Sequence, residues 1–462
     1  MDIKTLSRLT IAELTGAYRD GSADPVAVME ATFAQIAAVN GRINALYDLQ
    51  AEGAMAAAIA ARDRYARGAA IGVMDGVPVT IKDSVHAVGM VWRHGSAAHG
   101  DGVVGTVDAP PAQRLKAAGA IIIGKCTMPD YGLSGSGVSS AHGVVRNPWG
   151  LGWNTGGSSA GAGASLAAGI GMMSVGSDIA GSVRLPASHC GVAALKPTQG
   201  MVPHTPASDV RSAGPMTRSA RDLAFMLRVL GGLDDADRFS VPVPHEAASL
   251  AGARVGFCAD FGFGPAVEAA VQTVFSAALK AAEGLAGPLL PVATPYDFDA
   301  YLPMDDSFKL RGWLEYTGAA PHLRDETPQE LRDWFGEARA WDGARLHRMQ
   351  KELEKGVNQT ARFFEGCDLL LTPVMPLVNW PAEERGPIYG MPLRHCTFTA
   401  PFNQSGHPAA VICGGFDARG LPVGVQIVGR RFDDLRVLAM AEALEHAIWS
   451  EGLRDWPLVP AA

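Results

Sequence analysis

With 462 residues, 48% of them hydrophobic and 19% charged, the chain is long enough to bury a large core and too apolar and mixed in composition for disorder. A formal net charge of −8 argues against a dedicated nucleic-acid or anionic-membrane binder, because both need a clustered positive field. Six cysteines (Cys126, Cys190, Cys258, Cys367, Cys396, Cys413) stand far apart with no Cys-x-x-Cys pair, which predicts buried, reduced thiols rather than a disulfide framework or a zinc site.

The N-terminal MDIKTLSRLTIAELTG lacks an apolar run followed by a small-residue cleavage site, so a cytoplasmic protein is expected. Residues 1–70 read as helices. Thr10 to Glu13 is a capping box, and Asp24-Pro25 starts a helix with Phe33, Ile36 and Val39 on its apolar stripe, ending at Asn40-Gly41. From 71 to 231 short β-branched runs take over, at Val77 to Ile81, Ala120 to Ile123, Met172 to Val175 and Gly191 to Leu195. The stretch from Thr155 to Val183 has no Lys or Arg, but its Gly, Ser and Ala make a poor membrane span.

Residues 232–365 carry more charge and longer helices, including a capping box at Thr327 to Glu330 with Leu331, Trp334 and Phe335 on its buried side; this is expected to be a variable, substrate-side region. From 366 to 462 strand character returns at Cys367 to Leu371, Ala409 to Cys413 and Val423 to Val428. Asp433 or Asp434 then caps a last helix running to about Trp449. The expectation is α/β: one large mixed, mostly buried sheet in a single domain, covered by helices on both faces.

Three segments carry chemistry. Gly156 to Gly163 lacks the Lys-Ser/Thr of a phosphate loop. Gly157-Ser158-Ser159-Ala160-Gly161 matches the nucleophile elbow G-x-S-x-G, with Ser159 attacking, but that elbow follows a buried strand and residues 147–154 read as turn chemistry. A plain Gly/Ser-rich helix start accounts for it equally well. Second, Gly176 to Ala187 presents successive backbone N–H groups in a small-residue turn leading to Ser182, a shape that can bind an oxyanion. Third, Lys82 ends an apolar strand, where burial would favour its neutral, proton-accepting form; the competing role is an ion pair with Asp83.

Together these segments, with Arg146 to Trp149 and Leu421 to Gln426, resemble the amidase signature family, whose catalysis uses a Ser-Ser-Lys triad. The resemblance implies Ser182 as nucleophile, Ser158, 24 residues earlier, as bridging serine, and Lys82 as general base. It implies an oxyanion hole from the N–H groups of Ile179, Ala180, Gly181 and Ser182, substrate contacts at Gly132, Ser158 and Cys396, and supporting roles for Asp178, Ser159 and Arg184. No metal or other cofactor is implied, and a homodimer is compatible with it. Ala180 and Ala160 stand where the family usually has Gly, so Ala180 is harmless only with a negative φ and a methyl turned away from substrate.

His86, His94 and His99, spaced eight and five apart, do not share a helical face, and are expected to pack or face solvent. His142 and His395 are the histidines placed near the family's pocket regions. The resemblance implies hydrolysis of a small amide by the chain alone. The alternative is the glutaminase component, the A subunit, of a tRNA-dependent amidotransferase. In those subunits an Asp, which holds the glutamine amino group, stands where this chain has Cys396. A thiol supplies no carboxylate to an ammonium, so an apolar or aryl acyl group is expected instead.

Overall fold

Short apolar runs buried on both sides make sheet strands, and in the computed structural model, which describes residues 2–244, 249–449 and 455–459, eleven of them join one mixed sheet. In chain order these are β1 (Leu46–Tyr47), β2 (Pro78–Lys82), β3 (Ile121–Cys126), β4 (Met173–Asp178), β5 (Ala193–Lys196), β6 (Ser212–Thr217), β7 (Val255–Phe257), β8 (Leu290–Pro291), β9 (Leu369–Pro373), β10 (Ala409–Phe416) and β11 (Pro422–Gly429). Their spatial order is β1-β3-β2-β4-β6-β5-β10-β11-β9-β7-β8. The pairs β2–β3, β2–β4, β7–β8 and β7–β9 are parallel, and the rest antiparallel.

Alternate residues of each strand enter opposite cores, as the two-residue period of a strand requires. Val79, Ile81, Val175, Leu195 and Ile412 join one apolar cluster, while Ile123, Ala194, Met216 and Val411 join the other. Helices close both faces, giving an α/β fold with a sheet shielded on each side. All six cysteines are buried, and no disulfide joins them. Among the described residues no helix is long and apolar enough to cross a membrane.

Local expectations met mixed outcomes. The capping box at Thr10 forms, with Thr10 Oγ1 accepting from Glu13 N and the Glu13 carboxylate accepting from Thr10 N. The next helix does not stop at Asn40-Gly41: it runs Pro25–Ile43 and ends on Asn44 at φ 52°. Asn40 Oδ1 instead accepts from Ala45 N and Leu46 N, organising the chain beyond the helix. Thr327 caps nothing, because its buried hydroxyl pairs with Tyr131 Oη at 2.7 Å and the helix Gln329–Gly336 begins on Pro328. The last helix, Asp434–Ile448, starts where expected, but the Asp434 carboxylate is spent on Thr198 N and Oγ1.

Residues 147–154 are not pure turn: Gly150–Asn154 pairs with Arg146–Asn147 as a small hairpin outside the main sheet. Strand β6 carries no strand signal in the sequence, because Gly214-Pro215 looks like a breaker. Its ladder to β5 covers only Met216 and Thr217, so Pro215 lies beyond it on that side.

The helix Ala160–Ala167 approaches the sheet closely enough that a methyl on Gly161 would sit 2.2 Å from Ala45 O, whereas one on Gly152 meets nothing within 4 Å. Gly161→Ala is therefore expected to lower stability by about 1–3 kcal/mol, read as a reduced denaturation midpoint, with Gly152→Ala near neutral. Equal midpoints for the two would refute the close approach.

Candidate active site

Strands β2 and β4 are parallel neighbours, with Ile81 opposite Val175, so their C-terminal ends open on the same edge of the sheet. Lys82 ends β2, and Ser177 and Asp178 end β4. Lys82 is 1% exposed, and its Nζ lies 2.8 Å from Ser158 Oγ, 3.1 Å from Ser177 Oγ and 3.3 Å from Ser177 O. Ser177 Oγ is in turn 3.2 Å from Ser84 Oγ. Burial pushes the Lys82 amine down to about 7; the Asp178 charge opposes this, and the Arg311 and Arg211 charges reinforce it. The competing ion pair with Asp83 does not form: the Asp83 carboxylate accepts from Arg93 N at 3.0 Å and Gly95 N at 2.7 Å.

Ser158 follows a cis peptide bond from Gly157 and precedes the helix that Ser159 opens. Ser159 N donates to Ser182 O at 3.0 Å, which tethers the two signature segments one residue beyond Ser158. Ser159 Oγ is buried 3.4 Å from Ser177 O. Gly132 borders the site, since a methyl there would lie 3.3 Å from Ser158 Oγ.

The turn between β4 and Ser182 is wound around the Asp178 carboxylate. Asp178 and Arg184 are both fully buried and pair through Arg184 Nε at 3.0 Å and Nη2 at 2.9 Å. Burial alone would raise the Asp178 carboxyl, but Arg184 and Asn403 hold it well below the usual carboxylate range. Arg184 also donates to Thr399 O, Gln426 Oε1 and Asn403 Oδ1, and Thr399 Oγ1 donates to Ala180 O at 2.6 Å.

This corrects the expected oxyanion set. Gly181 N is committed to Asp178 Oδ1 at 2.7 Å and Val183 N to Asp178 Oδ2 at 3.1 Å, so Gly181 has no N–H to offer. The N–H groups of Ile179, Ala180 and Ser182 make no hydrogen bond among the described residues. Gly181 is required for another reason: φ is +123° and a methyl would lie 2.5 Å from Thr399 Oγ1. Ala180 has a negative φ and a buried side chain in the apolar core, which meets the φ condition on its extra methyl.

A cavity of about 630 Å³ opens beside this turn, walled by the apolar Ile179, Phe308, Met349, Leu353 and Val357 and by the charged Asp209, Arg311 and Glu354. Most of the wall comes from the helices Tyr301–Gly318 and Gly343–Ala361, within the segment expected to face substrate. Cys396 is fully buried and not part of this wall. Neither expected pocket histidine lines it: His142 packs on Tyr47 at 4.1 Å, and His395 packs on Trp380 at 4.7 Å. Sequence reasoning missed Ser177, Ser84 and the Thr399, Asn403 and Gln426 partners of the turn. Gln426 closes the Leu421 to Gln426 motif, and Thr399 and Asn403 follow closely on Cys396, which was the available signal.

The Amidase family pattern covers residues 27–438. The A component of the glutamyl-tRNA(Gln) amidotransferase of Anaeromyxobacter dehalogenans is 33% identical over 96% of this chain and 97% of its own. The acylamidase of Rhodococcus erythropolis is 31% identical over 96% of each. A solved bacterial aryl acylamidase of the amidase signature enzymes superposes with a TM-score of 0.88 at 25% identity, covering 98% of this chain and 99% of that one. With the family pattern spanning most of its length, the chain belongs to the amidase signature family, as a hydrolase acting on carbon–nitrogen bonds.

Proposed function

We propose that this amidase acts unaided on a small carboxamide with an apolar or aryl acyl group, using Ser182 as nucleophile, Ser158 as proton bridge and Lys82 as base. One observation carries the proposal: the buried Lys82 amine, lowered to about 7, has its Nζ 2.8 Å from Ser158 Oγ, next to the Ser159 N–H that is tied to Ser182 O. A neutral amine has two hydrogens and one lone pair. Its hydrogens suit Ser177 O and Ser177 Oγ, which leaves the lone pair for the Ser158 hydroxyl.

Ser182 Oγ attacks the amide carbon while its proton passes to Ser158 and the Ser158 proton passes to Lys82. The carbonyl oxygen becomes an oxyanion, for which Ile179, Ala180 and Ser182 have uncommitted N–H groups; such donors contribute about 3 kcal/mol each. Collapse of the intermediate breaks the C–N bond, the leaving nitrogen takes a proton back along the relay, and ammonia or an amine departs. Water then attacks the acyl ester by the same relay and restores Ser182. Asp178 and Arg184 hold the turn in shape without touching substrate.

The acyl group would lie against Phe308, Met349, Leu353 and Val357, whose burial by an apolar ligand is favourable. A glutaminase component of a larger complex is the second reading, favoured by full-length similarity to an amidotransferase component. Against it stands Cys396, a thiol where those components carry the amino-group-binding Asp; the acids that line the cavity itself are Asp209 and Glu354.

Ser182→Ala is expected to lower kcat by at least about 10³-fold with an unchanged circular-dichroism spectrum; near-normal turnover would refute the nucleophile assignment. Because Lys82 works in its neutral form, kcat/KM is expected to rise with pH through about 7 and then level off; a profile falling over that range would contradict it. Steady-state kinetics on the isolated chain are expected to favour an aryl amide over glutamine. Preference for glutamine, above all one appearing only with an added partner protein, would establish the second reading.

A further inference from the structure

We propose that His94, His99 and Glu315 form a binding site for a zinc-class divalent ion that ties the helix Tyr301–Gly318 to the catalytic core. Each side chain offers one ligand atom, and the three lie within 4.8 Å of one another. The two histidines come from the loop that follows Lys82, and the glutamate comes from a helix that walls the substrate cavity.

The atoms point to a missing partner. His94 is 7% exposed, and its Nδ1 makes no hydrogen bond; the nearest acid oxygen, on Glu315, is 3.7 Å away, beyond hydrogen-bond length. His99 Nε2 is likewise buried and without a hydrogen-bond partner. Two buried imidazole nitrogens without hydrogen-bond partners, on side chains gathered about one carboxylate, are costly, and one cation held by the three side chains would offset that cost. Metal–nitrogen bonds of about 2.0–2.1 Å in a tetrahedron place ligand atoms about 3.3 Å apart, so the present spacing needs side-chain movements of about 1 Å only.

The loop is already fixed for such a role. The Asp83 carboxylate holds the N–H groups of Arg93 and Gly95 on either side of His94, and Tyr131 N donates to His94 O at 2.8 Å. Trp92 stacks on the His94 ring at 5.2 Å and touches the His99 ring at 4.8 Å, limiting the rotation of both. Ser96 caps the short turn Ala97–His99.

The donor set selects the ion. Arg311 stands four residues before Glu315 on the same helix, and its charge offsets part of the carboxylate's. Affinity therefore rests on the imidazoles, which suit zinc and its transition-metal neighbours; magnesium and calcium prefer all-oxygen shells. With three protein ligands, the fourth position falls to water. The relay from Ser182 to Lys82 does not pass through these residues, so the site is structural.

Zinc chloride titrated into the metal-stripped chain against a chromogenic chelator is expected to show one tight equivalent, with magnesium giving none. His94→Gln and His99→Gln are each expected to weaken zinc by more than about tenfold, and the variant combining them with Glu315→Gln to abolish the equivalent. Cobalt in the wild type is expected to give the visible absorption of a four-coordinate nitrogen–oxygen site. No tight equivalent in the wild type, or the same equivalent in the combined variant, overturns the proposal. Where a variant fails to fold, the wild type still decides: zinc is expected to raise its denaturation midpoint, and equal midpoints with and without zinc overturn the proposal.

Discussion

Burying the amine of Lys82 without a carboxylate against it is the constraint on which the site depends. Taking an ammonium out of water costs several kcal/mol, and in most buried lysines an acid offsets that cost. Here Asp83, the next residue, is diverted to the amides of Arg93 and Gly95, and Asp178 is captured by Arg184. The amine is left among the hydroxyls and carbonyl of Ser158 and Ser177, with the guanidinium charges of Arg211 and Arg311 adding repulsion. Its neutral form is thereby far more accessible near physiological pH than that of an exposed lysine.

The same few ångströms treat a second charge in the opposite way. Asp178 is as deeply buried as Lys82, yet it stays ionised because Arg184 meets it with two hydrogen bonds and two backbone N–H groups add to them. Its charge is consumed in shaping the turn, which leaves the amides of Ile179, Ala180 and Ser182 unspent. A buried amine with a lowered pKa and a set of unspent N–H groups thus coexist because each neighbouring acid has another task.

Much of this was legible in the sequence, and the exceptions share a cause. Lys82 at a strand end, the Gly/Ser-rich segment and the turn before Ser182 are local patterns, and the structure brings them together. Ser177 has no local pattern, since a serine near the end of a buried strand resembles any other small residue. Thr327 and Asp434 looked like helix caps because the motif is local, but Tyr131 and Thr198, far away in sequence, claimed them. Gly181 fits an oxyanion turn by composition, and only the fold reveals that Asp178 has taken its N–H. His94 and His99 do not fit helical spacing, whereas a loop and a short turn bring their rings 6.0 Å apart.

Arg184 reaches its remaining acceptors at Thr399, Asn403 and Gln426, more than 200 residues downstream, and Ala180 is held by the Thr399 hydroxyl. On the ribosome, a growing chain that has not yet released this C-terminal part can pair β2 with β4 but leaves the buried guanidinium short of acceptors and the turn untethered. The turn is therefore completed only when residues 399–426 fold against it, and a chain without them would carry Ser158 and Ser182 but not the scaffold that shapes the turn.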